Sequence, residues 1–308
     1  MPAAFLAAVL FAASATTGKR LSGFFANGAQ ANLYRLIVSG CVLGVWAIAS
    51  GHGIFGPGWG LLWVSGVIGF GIGDVALFFA LRSLGARLTV MIIHCLATPI
   101  AGFLEWLCLG TAVRPIEAVV TVLILTGVVT SLLGQTSGRG QSGESRISSL
   151  PWQGWLWGLL ASLGQAGGAV MSRIAYQSID EAQVDTDAMS VAWIRILGGV
   201  CFSFIFLKMS GAPGLLGRWP SADSGMRRRS LIILIMLNGI LGPAAGVSCY
   251  QWALATTPTA LVLPVVALSP VLLIPLSMKV DGVRPTAISV LGGIIAIASV
   301  VILGIQRS

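Results

Sequence analysis

Five ionisable side chains that could bind a charged group or a proton lie well inside long apolar runs. They are Arg35, Asp74, Glu105, Arg173 and Arg195. A charge at the centre of a lipid bilayer costs at least about 2.5–3.5 kcal/mol, so each calls for a physical reason. Arg35 and Arg195 could form two cationic contacts for an anionic group of a substrate, such as a carboxylate. The alternative is that they pin helices together or extend to the membrane interface.

Asp74 follows a glycine-rich stretch, Gly69-Phe70-Gly71-Ile72-Gly73, where the missing side chains would let a substrate or another backbone come close. It is a candidate substrate-binding or proton-binding residue, and the alternative is an ion pair with an arginine of a neighbouring helix. Glu105 lies beyond Pro99 near one end of its run, which suits a gate or an interfacial residue. His94 could carry a proton during transport or hydrogen-bond a neighbouring helix.

Two prolines and two aromatic residues complete the candidate set. Pro99 and Pro270 are predicted to break helices in the middle of the membrane, which would free backbone carbonyls to bind substrate or act as hinges. Tyr250 and Trp252 could line a pocket by stacking, although aromatic residues near the ends of membrane helices commonly anchor them at the interface.

Patterns typical of enzymes are missing from the sequence. It contains no paired spacing of metal ligands, no nucleophile with a base at helical spacing and no Gly-Lys-Ser/Thr nucleotide loop. The five cysteines fall singly within apolar runs, where they act as small hydrophobic residues. We therefore predict no catalytic residue, no metal site, no cofactor and no enzymatic activity.

The composition is that of a chain dissolved in lipid. Of its 308 residues, 56% are hydrophobic and 9% are charged, and the mean hydropathy is +0.92, whereas a soluble domain carries charge on about 25% of its residues. The apolar runs are continuous, which favours helices over a membrane β-barrel. The net charge of +8 comes from basic residues placed singly or in small groups between these runs, so a nucleic-acid partner is not predicted.

Ten apolar runs are long enough to be membrane helices, because a span needs roughly 20 residues. The first five lie near Pro2–Gly18, Ala31–Ser50, Gly60–Leu81, Leu88–Gly110 and Ile116–Gly134, and the second five near Trp152–Gln177, Met189–Met209, Ser230–Leu254, Ala260–Met278 and Pro285–Ile305. Between the two groups, residues 135–151 form a Gly/Ser-rich linker. The predicted domains are therefore a first five-helix repeat (1–134), the linker and a second five-helix repeat (152–308).

The two halves repeat each other weakly but in the same order. The matching positions are Arg35 with Arg195, Ala80-Leu81 with Ala253-Leu254, Thr98-Pro99 with Ser269-Pro270, and Val113-Arg114-Pro115 with Val283-Arg284-Pro285. Because each half has an odd number of spans, the second would enter the membrane in the opposite direction, as an inverted repeat. Asp74 has no acidic counterpart, since Val247 takes that position, and such asymmetry favours a role in substrate or proton binding.

Most of the 18 basic residues fall in the loops on one side of the predicted membrane domain. They are Lys19, Arg20, Arg82, Arg87, Arg139, Arg146, Lys208, Arg218, Arg227, Arg228, Arg229, Lys279 and Arg284. The positive-inside rule assigns this side to the cytoplasm, which leaves both termini outside.

The sequence resembles the EamA family of ten-helix permeases in the drug/metabolite transporter superfamily. The resemblance covers nearly the whole chain and is most specific in GDVALFFALRSLGAR (Gly73–Arg87), Thr98-Pro99-Ile100 and Leu107-Cys108-Leu109-Gly110. A Leu-Gly-Glu sequence closes this pattern in the family, but Thr111 stands in place of the glutamate here, and Asp281 occupies the similar position in the second half. The resemblance implies a basket of ten helices, a central cavity between the halves and cytoplasmic termini. The charge distribution predicts the opposite side for the termini.

The function predicted from residues and resemblance together is secondary transport. A small polar or amphipathic metabolite would cross by alternating access, with proton coupling or exchange as alternatives. The predicted partners are this small molecule and the lipid bilayer, with either a monomer or a dimer allowed, and the predicted location is a bacterial-type inner membrane, crossed many times. A non-transporting scaffold or sensor is the alternative function, ahead of a membrane-embedded enzyme.

Overall fold

In the computed structural model, every secondary-structure element of the described residues is a helix. The structure describes residues 1–22, 24–25, 28–51, 56–134, 152–210, 225–274 and 285–306. The α-helices are α1 (Pro2–Ser22), α2 (Gly28–Ser50), α3 (Trp59–Gly66), α4 (Asp74–Leu109), α5 (Pro115–Leu133), α6 (Trp152–Glu181), α7 (Ala188–Met209), α8 (Gly225–Gly239), α9 (Val247–Thr256), α10 (Thr259–Val266) and α11 (Ala287–Ile305). The predicted linker, residues 135–151, lies outside the described residues.

Seven helical segments are long and apolar enough to cross a membrane. They are Gly28–Ser50, Trp59–Gly85, Leu88–Leu109, Pro115–Leu133, Ala188–Met209, Arg228–Thr256 and Ala287–Ile305. Two shorter apolar helices, Pro2–Gly18 and Thr259–Ile274, accompany them. The 30 residues of α6 extend far enough for a crossing at about 1.5 Å per residue, although this helix is less apolar. The count of ten crossings stays a prediction.

One position interrupts the long helix α4. Gly85 has φ 77° and ψ 164°, a conformation that residues with a Cβ rarely adopt, and it separates the segment ending there from the segment Leu88–Leu109. The predicted break at Pro99 is wrong, because α4 continues through this residue. Pro99 is exposed on the outer surface, so its ring displaces no packed neighbour, and one missing N–H leaves the flanking helical hydrogen bonds in place. In the second half, α10 ends at Val266, ahead of Pro270.

Two π-helical segments of seven residues each lie within two of the long apolar segments, Trp59–Gly85 and Arg228–Thr256. The first, π1 (Val67–Gly73), joins α3 to α4, and the second, π2 (Ile240–Gly246), joins α8 to α9. Both are rich in glycine, and each is followed at the same spacing by an Ala-Leu pair, Ala80-Leu81 or Ala253-Leu254. A π turn loosens the regular hydrogen-bond ladder and occurs frequently at functional sites.

Glycines let α6 pack directly against π1. A Cβ on Gly164 would lie 2.6 Å from the Gly73 Cα, and a Cβ on Gly168 would lie 3.1 Å from the Gly69 Cα. The two pairs are four residues apart on each helix, so they stack along one face. Membrane helices commonly use such small residues to approach, because lipid supplies little hydrophobic drive for their association.

The helices of the two halves pack against one another in a regular scheme. The first helix, α1, packs against α8, π2 and α9, and α6 packs in the same way against α3, π1 and α4. In addition, α2 packs against α7, α5 against α11, and α4 against α10. The Ser289 hydroxyl, for example, joins α11 to α5 by donating to the Ser131 carbonyl at 2.8 Å.

The helix that carries Arg195 begins at a strong N-cap. The Asp187 carboxylate accepts hydrogen bonds from the backbone N–H groups of Met189 and Ser190 at 2.8 and 3.0 Å, and from the Ser190 hydroxyl at 2.7 Å. Burial disfavours the charged form of Asp187, but these hydrogen bonds and one from Trp46 outweigh it and lower the pKa of this carboxyl below its usual value. The start of α7 is therefore well defined.

Candidate functional site

An ion pair joins α2 to α4 beside π1. The Arg35 guanidinium donates from Nη2 to Oδ2 of Asp74 at 2.5 Å and from Nε to Oδ1 of Asn32 at 2.7 Å. The Asn32 amide donates in turn to the Phe70 carbonyl of π1 at 3.2 Å. Side chains of Arg35 and Asp74 keep 23% and 17% of their surface exposed. The structure thus brings together two of the predicted site residues.

Arg195 lies deeper than Arg35 and is held differently. It is 3% exposed, and its guanidinium lies over the Phe70 ring at 5.0 Å from the centroid. Within the described part of the chain, its Nε and Nη1 atoms have no hydrogen-bond partner. Two glycines make room for it, because a Cβ on Gly66 would overlap the Arg195 carbonyl oxygen and one on Gly69 would lie 3.3 Å from Nη2.

Two buried tyrosines interact electrostatically with Arg195. Tyr176 of α6 and Tyr250 of α9 are 6% and 8% exposed, and both lie within electrostatic range of Arg195, as does Asp74. Neither tyrosine hydroxyl has a hydrogen-bond partner among the described residues. We call the five side chains of Arg35, Asp74, Tyr176, Arg195 and Tyr250 the central cluster.

Tyr176 is the member of the central cluster that the sequence analysis missed. The chain has three tyrosines, and Tyr176 lies inside a long apolar helix. A phenol there is unusual enough to have been noticed, but no repeat partner or motif marked it. Its relation to Arg195 depends on the packing of α6 beside α7, which the sequence does not display.

Glu105 and Arg173 form a second buried polar group, at the corner between α9 and α10. The Arg173 Nε lies 3.4 Å from Oε1 of Glu105, and its Nη1 donates to the carbonyls of Leu254 and Ala255 at 2.7 and 3.1 Å. The other Glu105 oxygen accepts from the Ala260 N–H at 3.3 Å. The cation thus faces the carboxyl end of α9 and the anion faces the amino end of α10, which suits both helix dipoles.

Two small cavities lie on the third membrane helix, on either side of the central cluster along its length. One, of about 10 Å³, is lined by Val75, Phe78 and Arg82 among others, and one of about 20 Å³ by Trp59, Leu62 and Ile194 among others. Since a single water needs about 10–15 Å³ on this measure, each holds one or two waters at most. Glycines also bring α6 and α7 close to π1 between these two cavities.

Comparison with known proteins identifies the family of the chain. The EamA-like transporter family matches residues 1–133 and 152–305. The chain belongs to the EamA-like transporter family. It is therefore a transporter of the drug/metabolite transporter superfamily and an integral membrane protein that crosses the bilayer several times. The family recognised in the sequence is confirmed.

One solved crystal structure has the same fold as this EamA-like transporter. It superposes with a TM-score of 0.76 and 16% sequence identity, and the alignment covers 99% of each chain. At that identity the likeness concerns the fold alone. A comparison with curated proteins gave no match.

In this EamA-like transporter, Trp252 does not belong to the central cluster. It is 62% exposed on the outer surface, whereas Tyr250 is buried. Two residues of a helix that are two positions apart point about 200° away from each other, so these two rings cannot line one pocket. The prediction for Trp252 is therefore wrong, and the interfacial alternative suits its exposure.

The remaining predicted residues lie outside the central cluster. His94 is half-buried in α4. Glu105 is 1% exposed and pairs with Arg173, so it is buried within the protein. Among the described residues, no group of three or more His, Cys, Asp or Glu side chains could hold a metal ion.

Proposed function

We propose that this EamA-like transporter is a secondary transporter that moves a small polar or amphipathic metabolite by alternating access, with the central cluster as its binding site. The observation that carries the proposal is the concentration of charged and hydroxyl groups in the membrane interior, beside a widened helical turn. Placing such groups in lipid costs free energy, so those found in membrane helices usually pair with one another or take part in transport. They come from five helices, α2, α4, α6, α7 and α9, so any movement between these helices would reshape the site.

We further propose that residues 1–134 and 152–308 are two inverted five-helix repeats, which makes ten spans. The positions of π1 and π2 support this division, because they occur at equivalent places in the third helix of each half. The packing scheme supports it as well. In the proposed repeat, α1 corresponds to α6 and α3 to α8, so the contact of α1 with α8 corresponds to that of α6 with α3. The two remaining contacts, α2 with α7 and α5 with α11, each join a helix to its own counterpart.

Alternating access gives the two small cavities a role. Each lies toward a different end of the third membrane helix, and the central cluster lies between them. A rocking movement of one half against the other would widen one cavity into an entrance while the other stays closed. Coupling to a proton on Asp74 or Glu105 and exchange of one metabolite for another are both compatible with this scheme.

A second candidate function is a non-transporting scaffold or sensor that reuses the fold. The observation in its favour is that the two cavities on either side of the central cluster, of about 10 and 20 Å³, cannot hold a metabolite. A transporter is also closed at one stage of its cycle, so only a functional measurement separates the two candidates.

The test compares metabolites inside and outside cells that overexpress the chain or lack it, by untargeted mass spectrometry. We expect at least one compound to change its distribution with expression of the natural chain and not with Asp74→Asn, which removes the charge that pairs with Arg35. The matched control is Asp180→Asn, the same change at an exposed position. If no compound follows expression of the natural chain, the transport proposal fails.

Coupling is tested with the same compound at several external pH values. Proton coupling through Asp74 predicts that transport by the natural chain depends on the proton gradient and that Asp74→Asn removes this dependence. Full transport by Asp74→Asn at every pH would contradict a proton-carrying role for this residue.

A further inference from the structure

The two arginines of the central cluster differ in how their charge is balanced. Arg35 is matched by the Asp74 carboxylate at 2.5 Å. Arg195 has the Phe70 ring beside it and Asp74 within electrostatic range, but no carboxylate of the described residues lies within ion-pair distance of its guanidinium. The cluster therefore carries two cations and one anion, which leaves one positive charge in excess.

Arg195 also leaves hydrogen-bonding capacity unused. Its Nε and Nη1 atoms and the hydroxyls of Tyr176 and Tyr250 are buried without a hydrogen-bond partner among the described residues. Leaving buried polar groups and a buried charge unsatisfied is costly, so native proteins rarely keep such a set without a use. A guanidinium offers donors only, and a phenol can donate its proton. Together the three side chains therefore suit a ligand group that accepts several hydrogen bonds and carries negative charge.

The excess of one positive charge selects among anionic groups. A carboxylate carries one negative charge and would bring the cluster to neutrality. A phosphate monoester carries about −1.5 to −2 at neutral pH and would leave uncompensated negative charge in a low-dielectric interior. A cationic group would add to the excess charge beside Arg195.

From these observations we infer that Arg195, Tyr176 and Tyr250 form a receptor for the carboxylate of a monoanionic metabolite. The inference rests on the proposed transport function, whose substrate class it names. Arg35 is not part of this receptor, because its guanidinium already binds Asp74 and Asn32. The assignment thus divides the two arginines, which the sequence presents as an equivalent pair.

The experiment measures binding to the full chain in lipid nanodiscs, through the thermal unfolding of its ten tryptophans. The probes are acetate, benzoate and phenylacetate, each compared with its own amide, together with phenyl phosphate. We expect at least one carboxylate to bind the natural chain at least about tenfold more tightly than its amide, because hydrogen bonds to a charged acceptor are stronger than those to a neutral one. Phenyl phosphate should bind more weakly than benzoate.

Substitutions assign the preference to these residues. Arg195→Gln should remove the preference for acid over amide, and Tyr176→Phe and Tyr250→Phe, which keep the shape of the side chain, should each weaken carboxylate binding about tenfold or more. Arg228→Gln, the same change at an exposed position, should bind as the natural chain does. If Arg195→Gln does not fold, the two tyrosine variants still decide the question.

Three results would overturn the inference: no carboxylate bound more tightly than its amide, a preference for carboxylate that persists in both tyrosine variants and in Arg195→Gln, or tighter binding of phenyl phosphate than of benzoate. None of them depends on transport. A chain that moves a neutral compound and ignores carboxylates would refute this inference alone, whereas a chain that moves nothing would refute the proposed function.

Discussion

Two buried ion pairs of this EamA-like transporter differ in what surrounds them. The pair of Arg35 and Asp74 is partly exposed and lies in the central cluster, whereas Glu105 and Arg173 are enclosed and bind the backbone at the ends of α9 and α10. Every partner of the second pair belongs to the protein itself. We therefore assign the first pair to the binding site, as part of the proposal, and the second to holding the corner between two helices.

This difference leads to a prediction for the second pair. Glu105→Gln and Arg173→Met should each lower the free energy of unfolding by about 3 kcal/mol, because either change leaves the remaining charge buried and unpaired. The double variant should lose clearly less than the sum of the two, which a double-mutant cycle in detergent measures. Additive losses would mean that the two side chains act independently.

At the scale of helices, glycine decides how closely α6 approaches π1. The close contacts of Gly164 with Gly73 and of Gly168 with Gly69 leave no space for a side chain. They also determine where Tyr176, farther along α6, lies relative to Arg195. The glycine contacts of α6 and the position of Tyr176 in the central cluster therefore depend on each other.

Gly164→Ala and Gly167→Ala test this link with the same chemical change on adjacent turns of α6. The new methyl would lie 2.6 Å from the Gly73 Cα in the first variant and at an ordinary 3.6 Å from the Ile68 Cγ2 in the second. We expect Gly164→Ala to lower the free energy of unfolding by about 1–3 kcal/mol, as overpacking does, and Gly167→Ala to change it little. Thermal unfolding in detergent measures both, and equal effects would contradict the close approach.

At the scale of the whole molecule, the proposed inverted repeat and the charge distribution together predict the orientation in the membrane. Basic residues near the ends of membrane segments, such as Arg20, Arg82 and Lys208, should lie at the cytoplasmic side, so both termini should lie outside. The family resemblance implies the opposite orientation, which makes the measurement informative.

Reporter fusions after Ser308 of the full chain measure the orientation. An alkaline phosphatase fused there should be active, because it folds only outside the cytoplasm, and a green fluorescent protein should be dark when exported in the unfolded state. The matched control moves both reporters to position 210, after α7, where the opposite pattern is expected. A fluorescent fusion at the carboxyl end would refute the orientation derived from charge.

Hydropathy and composition vary along the chain and can be read from it directly, because the cost of placing a residue in lipid depends mainly on that residue. The membrane helices and the charged residues inside them, Arg35, Asp74 and Arg195, could be predicted in this way, and the family was recognised from its resemblance in the stretch Gly73–Arg87. The break at Pro99 and a common pocket for Tyr250 and Trp252 were not correct, since they depended on helix geometry and on which face meets lipid.

Contacts between side chains cannot be read from the sequence in this way, because they depend on which helices pack together and at what distance. Arg35 and Arg195 look equivalent in the two halves, yet close packing across π1 gives Asp74 to Arg35 and leaves Arg195 with two tyrosines from distant helices. Such contacts join residues far apart in the chain, and no local property of the sequence specifies them. Only the folded arrangement separates the arginine that pairs with Asp74 from the one whose Nε and Nη1 atoms have no hydrogen-bond partner among the described residues.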